Sequence, residues 1–101
     1  MKNQKPGLLI YLQAKPGKQA ALMEFLNKGL SVVAEEGGTQ TWYAFQITGD
    51  RFGIYDTFRG DASREQHLQG KFAKALAGVE ADLLAAPPEI RKVDILSSKP
   101  A

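Results

Sequence analysis

The chain has 101 residues, of which 44% are hydrophobic and 24% charged, and this predicts one globular domain with its own core. The 13 basic and 11 acidic residues are spread along the chain, so no basic stripe indicates a nucleic-acid partner. The absence of cysteine excludes a disulfide framework, a thiolate metal site and a cysteine nucleophile.

The apolar run at residues 8–12 is too short for a signal segment or a membrane span, and charge returns at Lys15. We therefore expect a cytoplasmic protein with no membrane partner. A single domain over residues 1–101 is predicted, with a core from about 7 to 97 between short flexible termini.

The first half of the chain predicts a strand, a turn and a helix. Residues 7–14 are rich in β-formers and carry apolar side chains on both alternating faces. A turn with Pro and Gly follows at residues 15–18. Residues 18–35 have apolar side chains at helical spacing, and Gly29 on that face would let the helix approach a sheet closely. The glycine pair at 37–38 predicts the end of the helix.

A pair of strands comes next. Residues 39–48 alternate, so Trp42 lies on one face and Tyr43 on the other. A connection containing glycine at residues 48–51 predicts a hairpin to a partner strand at residues 52–59.

The last third predicts a helix and a closing strand. Asp61 is the expected N-cap of a helix that begins at about residue 62, and Gly70 is expected to break or kink it. The helix resumes as far as residue 83, and residues 89–96 predict the last strand.

The element order is therefore βαββαβ, which predicts an α+β, ferredoxin-like fold with a four-stranded antiparallel sheet and both helices on one face. Three of the strands are apolar on both faces, yet two helices cover only one. Because a monomer rarely exposes such a patch, we expect a homodimer that packs sheet against sheet.

The chain resembles the antibiotic biosynthesis monooxygenase family from Leu8 to Leu96, and four stretches in this order carry the resemblance. They are AKPGKQAALMEFL, TWYAFQI, FGIYDTFRGDASREQHLQGKFAKAL and LLAAPPEIRKVDIL. The resemblance implies the dimeric α/β-barrel fold. It also implies relatives that oxidise quinols or polyketide phenols with oxygen and without metal or flavin.

The same superfamily includes haem-degrading enzymes, isomerases and proteins without a known reaction. The haem-degrading branch uses an Asn in the first strand and a Trp near the end of the third. Here residues 8–14 contain no Asn, and Phe58 stands where that Trp is expected, so haem degradation is disfavoured.

His67 is the only histidine and the first candidate for chemistry, because an imidazole can take or hold a phenolic proton near neutral pH. It also matches the family's helical histidine. The competing interpretation is a histidine on the helix surface. Asp56 lies in phase with the apolar side of its strand, so its carboxylate needs a partner. It would act as a base or orient His67, or else form a structural pair with Lys92 or Arg91.

Aromatic side chains could line a pocket for a flat ligand, although most of them are expected in the core or the dimer interface. The predicted substrate-binding residues are Trp42, Tyr43, Tyr55, Phe58, Leu68 and Phe72. Arg59 and Arg64 could hold an anion, but a solvated surface role is favoured for both. No nucleotide-binding motif or group of metal ligands is present, so no nucleotide or metal cofactor is predicted.

We predict a cofactor-independent monooxygenase that oxidises a small quinol or polyphenol, with His67 and Asp56 as the catalytic groups. Two alternatives stay open, because a fold does not decide a function. One is a dimer that binds a small aromatic molecule without catalysis, and the other is an isomerase or lyase of the same superfamily.

Overall fold

The computed structural model describes residues 5–100. It has four strands and three helices. In chain order they are β1 (Lys5–Gln13), α1 (Gln19–Val33), β2 (Thr39–Gln46), β3 (Arg51–Phe58), α2 (Asp61–Leu68), α3 (Lys71–Leu83) and β4 (Glu89–Ile95). The predicted order is confirmed, with the second helix divided in two at Gly70, the residue that caps the start of α3.

The strands form one antiparallel sheet in the order β2-β3-β1-β4. The predicted α+β, ferredoxin-like architecture is therefore confirmed. In the register of the sheet, Asp56 of β3 lies between Leu8 of β1 and Trp42 of β2. All three side chains are on the same side of the sheet, since side chains of paired residues share a face.

The helices pack on one face of this sheet and enclose the core. The buried side chains of that face come from alternate positions of β1 and β3 and from one side of each long helix. They include Leu8, Ile10, Leu12, Leu22, Leu26, Phe52, Ile54, Phe58, Phe72 and Leu76.

Two local expectations are corrected. Asp61 is the first residue of α2 rather than its N-cap, which is Gly60, and its carboxylate lies 3.5 Å from Arg64 instead. Gly29 approaches another helix rather than the sheet: a Cβ atom built on it would lie 2.5 Å from the ring of Phe72 in α3. Glycine is therefore what lets α1 and α3 pack at this distance.

The other face of the sheet carries no helix among the described residues. Tyr43 is 58% exposed there and stacks on Tyr55, with ring centroids 6.4 Å apart. Nearby, the guanidinium of Arg51 lies over the ring of Tyr11. Within residues 5–100, none of the helices has both the length and the apolarity that crossing a membrane requires.

Candidate functional site

The imidazole of His67 is buried beneath the helices. It lies in the last turn of α2, and the residue is only 3% exposed. Its Nε2 atom is 3.1 Å from Oδ2 of Asp56, which is fully buried. Neither oxygen of Asp56 has an aligned hydrogen-bond donor among the described residues, so this contact has the distance of an ion pair without ideal direction.

The other ring nitrogen of His67 is held by Glu36. Nδ1 lies 2.6 Å from Oε1 of Glu36, and the same oxygen accepts a 2.7 Å hydrogen bond from Oγ1 of Thr39. Since an ionised carboxylate only accepts hydrogen bonds, Nδ1 carries the hydrogen in this contact. The ring thus lies between two carboxylates, and the shorter of its two contacts is to Glu36.

Sequence reasoning did not find Glu36, which lies in the turn after α1, 31 positions from His67. The one local signal is the glycine pair that follows it. A Cβ atom on Gly38 would lie 2.3 Å from the hydroxyl of Ser63 in α2, so glycine lets this turn pack against α2. That close approach brings Glu36 to the imidazole.

The pKa values of His67 and Asp56 both lie above their ordinary ranges. Burial raises the pKa of Asp56, and the facing imidazole only partly opposes this. Burial disfavours the charged form of His67, but the contacts and charges of Asp56 and Glu36 outweigh that effect and raise its pKa. Both groups therefore hold their protons more tightly in this site than they would in water.

Aromatic rings surround the imidazole. The ring of Phe58 lies 5.2 Å from that of His67, and the ring of Phe72 is nearly parallel to it at 6.3 Å. Trp42 meets Phe72 edge-on at 5.5 Å. The indole Nε1 of Trp42 is buried without a hydrogen-bond partner among the described residues. The site therefore combines apolar walls with polar atoms that a bound hydroxyl or water could satisfy.

Two cavities meet at His67, which is the only one of residues 5–100 that lines both. The inner cavity, of about 200 Å³, lies between α2, α3 and the sheet. Its other walls are mainly apolar and include Ile10, Leu68, Phe72, Leu76 and Ile90. The outer cavity, of about 280 Å³, lies between the end of α1 and the junction of α2 with α3. It is more polar and is lined by Glu35, Glu36, Thr39, Ser63, Gln66 and Lys71 among others.

Most of the predicted site residues lie together on the helix side of the sheet, but two do not. His67, Leu68 and Phe72 line the inner cavity. Asp56, Trp42 and Phe58 lie on the same side of the sheet, around the imidazole or the ring of Phe72. Tyr43 and Tyr55 are on the opposite face, where they stack on each other.

The other charged candidates have structural partners. Lys92 pairs with Glu65 at 2.9 Å rather than with Asp56, whose partner is His67. Nη1 of Arg64 donates to the carbonyl oxygens of Gly7 and Val93, both at 3.2 Å, and this ties β1 to β4. The side chain of Arg64 is 11% exposed, so the expected solvated role is wrong for this residue.

Arg59 is exposed and donates from Nη2 to the carbonyl oxygen of Gly37 at 3.2 Å. Over residues 5–100, no group of three His, Asp or Glu side chains has the arrangement of metal ligands.

Solved structures place this fold among known proteins. A protein of unknown function from Nitrosomonas europaea is 42% identical, with a TM-score of 0.93, over 97% of this chain and 96% of that one. Two others are provisionally assigned to the antibiotic biosynthesis monooxygenases. One, from N. europaea, has 18% identity and a TM-score of 0.82 over 91% of this chain and 99% of that one. The other, from Chloroflexus aurantiacus, has 20% identity and a TM-score of 0.75 over 95% of this chain and 97% of that one.

The fold is therefore that of the antibiotic biosynthesis monooxygenases. The chain belongs to the same family as the N. europaea protein of unknown function. No protein-family model matches the sequence, and a comparison with curated proteins gives no match.

Proposed function

We propose that the protein is a cofactor-independent monooxygenase that oxidises a small quinol or polyphenol with molecular oxygen. The observation that carries the proposal is the buried imidazole of His67, held between Asp56 and Glu36 in the wall of an apolar cavity. Neighbours with the same fold that are described as monooxygenases or as a possible oxidoreductase support it.

The inner cavity is the proposed substrate site. Its apolar walls and the ring of Phe72 suit a flat aromatic molecule, whereas the outer cavity is lined by carboxylates and a lysine. An apolar cavity of roughly 150 Å³ can hold benzene, so about 200 Å³ suits a single-ring substrate.

In the proposed reaction His67 takes a proton from a substrate hydroxyl at Nε2, the ring nitrogen whose protein contact is longer and not aligned. The electron-rich phenolate then reduces oxygen. One oxygen atom becomes bonded to a ring carbon, the other leaves as water, and the ring loses two hydrogen atoms. The net change converts a quinol and O2 into a hydroxyquinone and water.

Asp56 is proposed to act through His67. Its buried carboxylate raises the pKa of the imidazole, so it makes the neutral imidazole a stronger base. We therefore expect kcat/KM to rise with pH through the raised pKa of His67, because the deprotonated pair is the active base.

The proposal is tested by oxygen uptake with a panel of hydroquinones. The wild type should consume oxygen, and His67→Gln should lose about 100-fold or more of kcat/KM, which is the usual contribution of a positioned base. Met23→Ala is the matched control, since Met23 is 41% exposed on α1 and lines neither cavity near His67. Equal uptake by the wild type and His67→Gln would exclude the role given to His67.

We also propose that the protein is a homodimer through the helix-free face of the sheet, which presents Tyr43, Tyr55 and Phe45 to solvent in the single chain. Burial of these aromatic side chains in a two-fold interface would remove the exposed patch. Sedimentation equilibrium should give the mass of two chains, and a monomer at micromolar concentration would contradict the proposal.

A non-catalytic binding protein is the second candidate, and one observation favours it. Both ring nitrogens of His67 already have carboxylate neighbours, so a substrate must compete with Asp56 for Nε2. Binding alone predicts saturable changes in the fluorescence of Trp42, the only tryptophan, without turnover. An isomerase or lyase would instead convert its substrate equally well in the absence of oxygen.

A further inference from the structure

Glu36 lies between the imidazole of His67 and the outer cavity, where it is partly exposed to water. Among the described residues, only His67 lines both cavities, and Glu36 contacts it from the outer one. The side chain of Glu36 keeps 22% of its surface exposed, while Asp56 on the other side of the ring is fully buried. Of the two carboxylates that flank His67, only Glu36 can exchange protons with water directly.

We propose that Glu36 is the proton-relay residue for His67: its carboxylate stores, in the outer cavity, the proton that leaves Nδ1 when Nε2 takes one from the substrate. This inference rests on the proposed function and adds a residue to it. It follows from the chemistry of the inner cavity, whose apolar walls offer few groups that could accept a proton from the imidazole.

His67 and Glu36 both return to their starting protonation states within one turnover. In the first step the substrate hydroxyl gives its proton to Nε2, and Nδ1 gives its own proton to Oε1 of Glu36. In the return step Glu36 gives that proton back to Nδ1, and Nε2 protonates the oxygen atom that departs as water. The second hydrogen of that water comes from the ring carbon to which oxygen binds, and the imidazole ends in its starting tautomer.

The contacts around Glu36 fit such a role. Oε1 is fixed by two hydrogen bonds, to Nδ1 of His67 at 2.6 Å and from Oγ1 of Thr39 at 2.7 Å. A carboxylate held in this way keeps the proton path short in every turnover. Oε2 belongs to the same partly exposed group, so water in the outer cavity can bind it.

The charges that face His67 come from several elements. Asp56 faces it from β3, and Glu36 from the turn after α1. The outer cavity adds Glu35 and, at the start of α3, Lys71. Glu80 of α3 lines the inner cavity. Glu35 is the best control for Glu36, because it lines the same cavity and carries the same charge but makes no contact with the imidazole.

The experiment uses the single histidine of the chain, whose imidazole signals in NMR spectra of the untagged protein are unambiguous. Glu36→Gln keeps the shape of the side chain and an acceptor oxygen for Nδ1 but removes the charge and the proton-storing group. We expect the pKa of His67 to fall by about one pH unit or more in Glu36→Gln and to change little in Glu35→Gln.

The kinetic part separates a relay from a merely structural contact. In Glu36→Gln we expect kcat for oxygen uptake to fall about 100-fold with KM nearly unchanged, and to stay low at every pH. Glu35→Gln should keep wild-type kcat. A folded Glu36→Gln variant with wild-type kcat, or with kcat restored fully by a change of pH, overturns the relay.

The outcomes also distinguish this inference from the proposed function. A wild type that consumes no oxygen with any quinol overturns both, whereas an active wild type with an equally active Glu36→Gln variant overturns the relay alone. If Glu36→Gln does not fold, Glu36→Asp takes its place. It keeps the carboxylate but withdraws it by one methylene, so the relay predicts a lower kcat, and an unchanged kcat contradicts it.

Discussion

Replacement of His67 by leucine is the change that should expose the energetics of the site most clearly. In the wild type the imidazole is the only described side chain within ion-pair distance of the fully buried Asp56 carboxylate. His67→Leu removes this partner and leaves the carboxylate in an apolar environment. A buried charge without a partner is costly, so the variant should be strongly destabilised at a pH where Asp56 is ionised.

The loss of stability in His67→Leu depends on pH. Removal of one member of a buried ion pair typically costs about 3–5 kcal/mol, which is a large part of the roughly 5–15 kcal/mol that stabilises a domain of this size. Without His67, burial raises the pKa of Asp56 still further, because the imidazole that opposes the shift is gone. As the pH falls from 8 to 5, a growing share of these carboxyl groups is therefore neutral. The cost should fall to that of an unsatisfied neutral polar group, about 1–3 kcal/mol.

The loss of unfolding free energy in His67→Leu is measured by urea unfolding at pH 5 and at pH 8, with the protein concentration kept fixed. The double variant Asp56→Asn/His67→Leu is the control, because it removes the buried charge as well. At pH 8 we expect it to be about 2 kcal/mol more stable than His67→Leu alone and nearly independent of pH. Two results would contradict this expectation. One is a loss of unfolding free energy in His67→Leu that is the same at both pH values. The other is a double variant that is less stable than His67→Leu at pH 8.

Three further outcomes are expected. The pKa values of His67 and Asp56 are raised in the folded protein, so the folded state binds protons more tightly than the unfolded chain. Their contribution to the free energy of unfolding is fully present below their pKa values in the unfolded chain. It is lost as the pH rises through their pKa values in the folded protein. The wild type should therefore lose more stability between pH 6 and pH 9 than Asp56→Asn/His67→Leu does, in urea titrations. Gly29→Ala should lose about 1 kcal/mol, since its Cβ would lie 2.5 Å from the ring of Phe72, whereas in a Phe72→Leu background the same change should stabilise the fold. Tyr43→Arg should leave thermal unfolding of the single chain nearly unchanged but shift sedimentation toward the monomer, because it places a charge in the proposed interface.

The fold could be predicted because its signals are local. Strand alternation and helical spacing are properties of neighbouring residues. They predict the order of the elements and show which residues within one strand lie on the same face. The break at Gly70 was also local, since glycine is a poor helix former. The burial of His67 depends instead on how α2 packs over the sheet, so helical phase alone left its exposure open.

The candidate site was only partly predictable for the same reason. Alternation separates Trp42 from Tyr43 and Asp56 from Tyr55. Only the register of the two strands shows that Tyr43 and Tyr55 share a face, and only the placement of the helices decides which face is covered. Glu36 has no local pattern that marks it. Its role comes from a contact between a turn and a helix that are far apart in the sequence.

Isotope labelling shows whether the protein oxidises a small quinol at the buried imidazole. The metal-free protein is supplied with an active hydroquinone under 18O2, and the product is analysed by mass spectrometry. We expect a hydroxyquinone that carries one labelled oxygen atom, with the second atom in water, and about 100-fold less product from His67→Gln at the same concentration. A product that forms without oxygen, carries no label, or appears equally fast with His67→Gln would contradict it.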